Sequence, residues 1–361
     1  MSLAILGIGT ATPDRSIAQR DAVALAAGFN NAAPGRERTL AAIYRQTRIR
    51  SRGSVLLEPP AEEPFAQSFY PRATATSDAG PTTAERMERY RAAAGPLAVG
   101  AAARAVAAAA VPPAAITHLV TCSCTGFSSP GVDLDIVQGL GLAAGVQRTH
   151  VGFMGCHGAF NALRVADAFA TATPGARVLM VCVELCSLHF QYGAKSDHVV
   201  ANSIFADGAA ALVGGVADER SAWRVAGQAS RILPGSSDQM GWRIGDHGFE
   251  MSLSAQVPAT IARDLRMFVA ESLAPHGLAL PDVATWAVHP GGPRVLTSVQ
   301  EALGLGDDAL AASHGVLAEH GNMSSATILF IIERLRAAAV GRPCVALAFG
   351  PGLTAELAVF S

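Results

Sequence analysis

The sequence predicts a layered α/β protein in which sheets lie between helices, built as two halves of similar plan. Its 361 residues exceed what one hydrophobic core usually organises, so two packed halves are expected. Short apolar runs alternate with segments of helical spacing along the chain. Each half also closes on strands rather than on a helix, although no sequence repeat is evident.

The first half contains five predicted strands and five predicted helices. Residues 178–184 are apolar almost throughout, as in a sheet that is covered on both faces. The predicted strands are 3–8, 117–122, 149–153, 178–184 and 209–215. The predicted helices are 16–27, 38–48, 82–110 with a break at Gly95-Pro96, 131–140 and 156–170. Residues 53–81 carry five prolines and predict an exposed loop.

The second half repeats this alternation. Its predicted strands are 223–233, 285–288, 345–349 and 353–360, and its predicted helices are 258–274, 293–303 and 323–338. The strands 209–215 and 223–233 follow each other without a helix, so we expect them to pair directly. The last two strands are expected to close the half as a second pair.

Composition excludes several classes of protein. With 50% hydrophobic and 16% charged residues, the chain is not disordered. The most apolar stretch, 99–111, is interrupted by Arg104 and is shorter than the roughly 20 residues of a membrane span. We expect neither a membrane span nor a signal peptide. The net charge of −2 does not favour a nucleic-acid partner.

Six cysteines occur, and no two of them form a CxxC pair, so a zinc cluster is not expected. Five lie in or beside apolar runs and predict small buried side chains in a reducing, cytoplasmic compartment. These are Cys122, Cys124, Cys182, Cys186 and Cys344.

Cys156 differs because it stands where an apolar strand turns into an apolar helix. Gly155 and Gly158 allow a tight turn there. A cysteine at a helix N-terminus faces free N–H groups, which favour its thiolate. The pattern fits a nucleophile and a buried structural cysteine about equally well.

Two further residues stand at similar junctions. His289 ends a predicted strand before Pro-Gly-Gly and a helix, at the sheet edge where α/β sites usually lie. Asn322 precedes Met-Ser-Ser and an apolar helix, where it could cap the helix or donate its amide to a substrate oxygen. His314 and His320 lie in a segment that we expect to be an ordinary, exposed helix. Gly350-Pro351-Gly352 alone indicates a tight connection between strands.

Taken together, cysteine, histidine and asparagine at three such junctions fit a covalent acyl-transfer site. The runs GC at 155–156, VHPGGP at 288–293, GNMSSA at 321–326 and FGPGLT at 349–354 closely resemble the type III polyketide synthases, the chalcone synthase superfamily. Their order and spacing match, and the likeness extends from about residue 3 to the C-terminus. The branch looks bacterial rather than plant.

The resemblance implies a thiolase-like fold, with two related halves stacked as an α-β-α-β-α sandwich and usually paired as a homodimer. We place the halves at 1–220 and 221–361. It implies Cys156 as the nucleophile, completed by His289 and Asn322, and Phe205 as the first gatekeeper between the CoA tunnel and the cavity. The substrates implied are acyl-CoA and malonyl-CoA, with no cofactor and no metal.

Alignment along the chain also assigns the remaining cavity positions. The second gatekeeper phenylalanine is replaced by Met251. His189 stands where plant members often carry threonine, Trp242 where chalcone-forming members carry glycine, and Ser324 matches a cavity serine. The cavity is therefore not expected to be chalcone-like. Four arginines correspond to basic residues that meet the CoA phosphates, and a solvated helix end is the other interpretation. They are Arg45, Arg48, Arg50 and Arg52.

The activity implied is loading of a starter on Cys156, decarboxylative condensation with malonyl-CoA, and closure to a pyrone, resorcinol or phloroglucinol. The alternatives are a ketosynthase III-like enzyme that performs a single condensation, a non-catalytic acyl-CoA-binding homologue and a cysteine hydrolase. The motif contexts at 288–293 and 321–326 favour the polyketide synthase.

Overall fold

The structure is a computed structural model that describes residues 2–30, 36–59, 67–216 and 223–361. The predicted boundary between residues 220 and 221 lies outside these ranges. The strands are β1 (Ala4–Ala11), β2 (Ser16–Ala18), β3 (Ser51–Gly53), β4 (His118–Ser123), β5 (Gln147–Gly152), β6 (Arg177–Leu185), β7 (Asp207–Gly215), β8 (Trp223–Ile232), β9 (Met240–Gly245), β10 (Gly248–Leu253), β11 (Thr285–Val288), β12 (Cys344–Gly350) and β13 (Thr354–Phe360). The α-helices are α1 (Gln19–Asn30), α2 (Arg36–Gln46), α3 (Thr83–Ala109), α4 (Val132–Leu140), α5 (Gly158–Ala172), α6 (Ser196–Ile204), α7 (Val257–Leu273), α8 (Pro293–Leu303), α9 (Ala311–His320) and α10 (Thr327–Ala337).

Strand order shows that the two halves share one plan. The first half runs β1-β7-β6-β4-β5, and the second runs β8-β13-β12-β11. In each half two antiparallel pairs are followed by a parallel pair. The halves join where Ala4 and Ile5 of β1 meet Arg224 and Trp223 of β8. The predicted internal relation between the halves is therefore confirmed.

Three apolar cores define five layers. α3 and α4 cover the outer face of the first sheet, and α7 and α8 cover the outer face of the second. Between the sheets lie α5 and α10, whose core includes Ala162 and Ile331 together with Met180 of β6 and Ala346 of β12. This is the α-β-α-β-α arrangement that the resemblance implied.

Two details differ from the expected elements. α3 continues through Gly95 and Pro96 without a break. The packing of its buried face on the sheet outweighs the hydrogen bond that proline cannot make. The strands β7 and β8 do not pair, because β1 lies between them in the sheet. By length and composition α3 is the one described helix that could cross a bilayer, but it packs on the first sheet and carries the buried Arg86.

Two elements that pattern did not predict lie beside the motif residues. One is α6, which ends just before Phe205, and the other is the β9–β10 hairpin, in which Trp242 pairs with Met251. Of the predicted 53–81 loop, the described residues after Gly53 form neither helix nor strand. Leu56 and Tyr70 of that loop are nevertheless buried, so the loop covers the core rather than projecting from it.

Candidate active site

The middle helices bring residues of both halves together. Cys156 lies in a short 3-10 turn that leads from β5 into α5, and Asn322 lies just before the turn that leads into α10. His289 directly follows β11, and its backbone N–H donates to the carbonyl of Leu347 at 2.8 Å. All three side chains line one cavity of about 400 Å³. The structure therefore brings the predicted triad into one site.

The turn that carries Cys156 is held by the Gly350-Pro351-Gly352 connection. Gly155 has a left-handed backbone with φ +74°, and a Cβ atom at this position would collide with Pro351. Only glycine satisfies both constraints. The connection between β12 and β13 therefore packs against the turn that carries Cys156.

A second, smaller cavity of about 20 Å³ lies beyond the first. Cys156, Phe205 and Met251 line both cavities, whereas Trp242 and Ser324 line only the inner one. Phe205 and Met251 thus stand at the boundary between the outer and inner cavities, at the positions predicted for gatekeepers. Four of the five predicted gate and cavity residues face the site.

Hydrogen bonds orient the polar groups at the sulfur. The Asn322 Oδ1 atom accepts the N–H of Ser324 at 2.8 Å, which leaves the amide Nδ2 as a donor. The side chains of Ser324 and Asn322 lie beside Cys156, and their polar groups lower the pKa of its thiol. His289 is 1% exposed, and neither of its ring nitrogens has a partner among the described residues. An unpartnered, buried imidazole facing a cavity is available to a substrate.

Burial dominates the electrostatics of the site. It raises the pKa of the Cys156 thiol to about 11, and the hydrogen bonds from Ser324 and Asn322 oppose this rise. Burial, with a smaller effect of His157, lowers the pKa of His289 to about 3. The sequence pattern favoured a thiolate, but a helix N-terminus contributes only about 0.3–1 kcal/mol. Burial therefore favours the neutral form of each group.

The predicted cavity role of His189 is wrong. Its Nε2–H donates to the carbonyl of Thr125 at 2.6 Å, and its Nδ1 accepts the N–H of Phe249 at 3.0 Å. The ring stacks on Phe249 with 4.1 Å between centroids and lines neither cavity. His189 instead fastens β10 to the segment that follows β4.

The four predicted CoA arginines separate into two groups. Arg45 and Arg48 are exposed, and Arg50 is exposed and pairs with Glu319 at 3.1 Å. Their neighbours Gln46 and Thr47 line the outer cavity. Arg52 is buried and donates to the backbone carbonyls of Asn202 and Phe205. A phosphate contact by Arg52 is therefore wrong, because its guanidinium faces the protein interior.

Several residues of the site were not foreseen. Met240 lines both cavities, and Cys124 lines the inner one. The Sγ atom of Cys124 lies 3.1 Å from the Ser324 hydroxyl and 3.4 Å from Glu184 Oε1.

All five cysteines predicted to be buried are buried and free. For Met240 no signal was present, because the hairpin that carries it has no distinctive pattern.

Comparison with known proteins gives the same assignment across the whole chain. Residues 2–218 match the family described as chalcone and stilbene synthases, N-terminal domain, and residues 224–361 match its C-terminal domain. The alpha-pyrone synthesis polyketide synthase-like Pks18 of Mycobacterium tuberculosis is 34% identical over 99% of this chain and 90% of its own length. A protein of the same name from Mycobacterium bovis gives the same values.

Two solved structures share the fold. The structure of PKS-I from the brown alga Ectocarpus siliculosus aligns with a TM-score of 0.90 and 32% identity, covering 99% of this chain and 98% of that one. The C-terminal type III polyketide synthase domain of Steely1 from Dictyostelium aligns with a TM-score of 0.89 and 26% identity, covering 100% and 99%. With both family domains matched in order and the thiolase-like layers in place, the chain belongs to the chalcone and stilbene synthase family and is a type III polyketide synthase.

Proposed function

We propose that Cys156 carries the growing acyl chain, that His289 serves both loading and extension, and that Asn322 serves extension. The observation that carries this proposal is the convergence of Cys156, His289 and Asn322 on one cavity. Cysteine suits the role because its thiolate is both a strong nucleophile and a good leaving group toward thioesters.

Loading begins with a neutral thiol and a neutral imidazole. Transfer of the Cys156 proton to His289 creates both charges together, so their attraction offsets the burial that disfavours each charge alone. The thiolate attacks the carbonyl carbon of the starter acyl-CoA, and the C–S bond to CoA breaks. The CoA thiolate takes the proton from His289 and leaves through the outer cavity.

Extension uses two hydrogen-bond donors, His289 and Asn322. Malonyl-CoA loses CO₂, and the electron pair of the broken C–C bond becomes an enolate on the thioester. The ring N–H of His289 and the Nδ2 of Asn322 stabilise its oxygen, each worth about 3–4 kcal/mol in comparable sites. Because decarboxylation itself supplies the carbanion, we propose no cofactor besides the CoA thioester substrates. The enolate carbon then attacks the acyl-Cys156 thioester, the acyl C–S bond breaks, and the Cys156 thiolate is released from the β-ketoacyl-CoA, which is two carbons longer.

The volume beyond Phe205 and Met251 supports a proposal for the starter and product classes. The inner cavity of about 20 Å³ holds little more than one water molecule, and Trp242 and Met251 form part of its wall. Because methionine is flexible, we propose an unbranched aliphatic starter and few extensions. Of pyrone, resorcinol and phloroglucinol, we favour a pyrone, in line with the name of the 34% identical mycobacterial relative.

For the CoA moiety we propose that Arg45, Arg48 and Arg50 meet the phosphates, since they are exposed beside residues that line the outer cavity. We also propose a cytoplasmic location, in keeping with six free, buried thiols.

We further propose a homodimer joined along β5. This strand ends the nine-stranded sheet, and its side chains are exposed or only partly buried. The large apolar residues Phe127 and Met154, before and after β5, are 41% and 38% exposed. An open strand edge bordered by apolar side chains is suited to pairing with a second copy.

Removing the nucleophile should separate the two half-reactions. We expect Cys156→Ala to abolish product formation while CO₂ release from malonyl-CoA continues. Asn322→Ala should slow CO₂ release by about 100-fold, because it removes one enolate donor, yet still load starter on Cys156. CO₂ assays and intact-protein mass spectrometry measure the two steps. Product formation at the wild-type rate by Cys156→Ala would refute the nucleophile assignment.

Ser324 should set the acidity of Cys156. The Ser324 hydrogen bond lowers the pKa of the thiol, so Ser324→Ala should raise it by roughly 1–2 units, the value of a hydrogen bond to a charged group. The thiolate fraction at any pH below the pKa then falls, and alkylation by iodoacetamide slows at least tenfold at pH 7. The buried Ser298 of α8 provides the control variant Ser298→Ala. An unchanged or lower alkylation midpoint in Ser324→Ala would contradict the role.

Trp242 should limit the acyl chain. Trp242→Gly removes the indole from the wall of the inner cavity, so with a panel of acyl-CoAs we expect longer starters or at least one more two-carbon extension. Product masses read the change directly. Trp223→Phe, in a buried site against Phe360 away from both cavities, should leave the product masses unaltered. An unchanged product profile in Trp242→Gly would refute the size limit.

The β5 edge should determine the oligomeric state. Sedimentation should give twice the 37.0 kDa mass of the chain. Phe127→Asp should weaken association, because it places a charge in an apolar contact. Met267→Asp changes a still more exposed apolar residue on α7 and should leave the mass unaltered. A monomeric wild-type protein would exclude the dimer, and a dimeric Phe127→Asp would exclude this interface.

A further inference from the structure

The C-terminal end of α6 leads directly into the gate residue Phe205, and its carbonyl groups are all occupied. The carbonyl of Ser203 accepts the side-chain amide of Gln19 at 2.7 Å. The carbonyl of Ile204 accepts the backbone N–H of Asn322 at 2.8 Å. A helix end of this kind leaves four carbonyls without partners inside the helix. Here the donors come from outside the helix, and one of them belongs to the triad.

Arg52 supplies the remaining donors together with Tyr44, whose hydroxyl donates to the carbonyl of Asn202 at 3.4 Å. Its Nη1 atom donates to the carbonyl of Asn202 at 2.8 Å and to that of Phe205 at 2.7 Å. The side chain is buried and forms no ion pair with a carboxylate of the described residues, and its Nε atom has no partner there. The positive charge therefore rests at the negative end of the α6 dipole. Burying a cation is unfavourable unless its donors are used.

Arg52 also lies against the backbone segment that carries Asn322. A Cβ atom on Gly321 would lie 3.0 Å from Arg52 Cγ. The N–H of Ala206 donates to the carbonyl of Asn322 at 2.9 Å, so Phe205 and Asn322 form a backbone bridge. Arg52 thus touches both backbone segments that place the gate residue and the enolate donor. It lines neither the outer nor the inner cavity.

We propose that Arg52 is a positioning residue: by binding the carbonyls at the end of α6 it fixes Phe205 and, through the backbone bridge, Asn322. The proposal rests on the function proposed above for Asn322. It assigns Arg52 to the turnover step rather than to CoA binding, in contrast to the exposed Arg45, Arg48 and Arg50.

The test compares kcat and KM for malonyl-CoA decarboxylation. Arg52→Met retains the apolar stem but removes the donors, so kcat should fall about 10- to 100-fold while KM stays at the wild-type value, since small displacements of a catalytic group have effects of this size. Arg48→Met should raise KM and spare kcat. Arg20→Met, an exposed arginine on α1, should change neither.

The variant Arg52→Lys separates a loss of positioning from a loss of folding. An ammonium keeps the charge but lacks the planar fork of guanidinium, so kcat should fall while the melting temperature stays near that of the wild type. A wild-type kcat in either folded variant, a change confined to KM, or failure of both variants to fold would overturn the proposal. If the wild-type protein itself releases no CO₂ from malonyl-CoA, the proposed function fails instead.

Discussion

The rest of the site depends on one contact, in which donors from the second half meet the sulfur of the first half. Ser324 and Asn322 lie beside Cys156 where α5 and α10 begin, and both lower the pKa of its thiol. A Cβ atom on Gly158, the first residue of α5, would lie 3.5 Å from Ser325, so the two helix starts nearly touch. The halves must therefore pack in one register for the nucleophile to have its donors. Stability of the middle layer and acidity of the thiol are consequences of the same packing.

This geometry explains why burial need not disable the nucleophile. A sulfur withdrawn from water resists ionisation, and so does an isolated imidazole. When the two exchange a proton, the new charges lie in a site of low polarity, where their attraction is strong. Asn322 and Ser324 then stabilise the anion without reorganising, because the backbone N–H of Ser324 already fixes the Asn322 amide.

Sequence pattern was sufficient for most of the layers, because buried strands and helices depend on local rules, whereas the triad was assigned from the family resemblance of its motifs. Apolar runs predict buried strands, and Cys156, His289 and Asn322 stand at turns that glycines mark. Side-chain direction is not local. Counting along the chain located His189 and Arg52 correctly but could not show that His189 turns away toward Thr125 or that Arg52 enters the protein. Likewise, the order of β7, β1 and β8 depends on how the sheets of the two halves join, and the sequence of a single strand does not predict this.

Chemistry and selectivity lie on different elements of this fold. The reacting groups are placed by the starts of the middle helices and by the end of β11, which are enclosed between layers and cannot shift without disturbing the cores. Three of the residues that line the inner cavity, Met240, Trp242 and Met251, come from a two-stranded hairpin outside the main sheet. Substitutions in a hairpin leave the register of the large sheet unchanged. A change of starter therefore requires no change in the acyl-transfer machinery, and the hairpin, which sequence pattern did not predict, is where product identity is expected to be set.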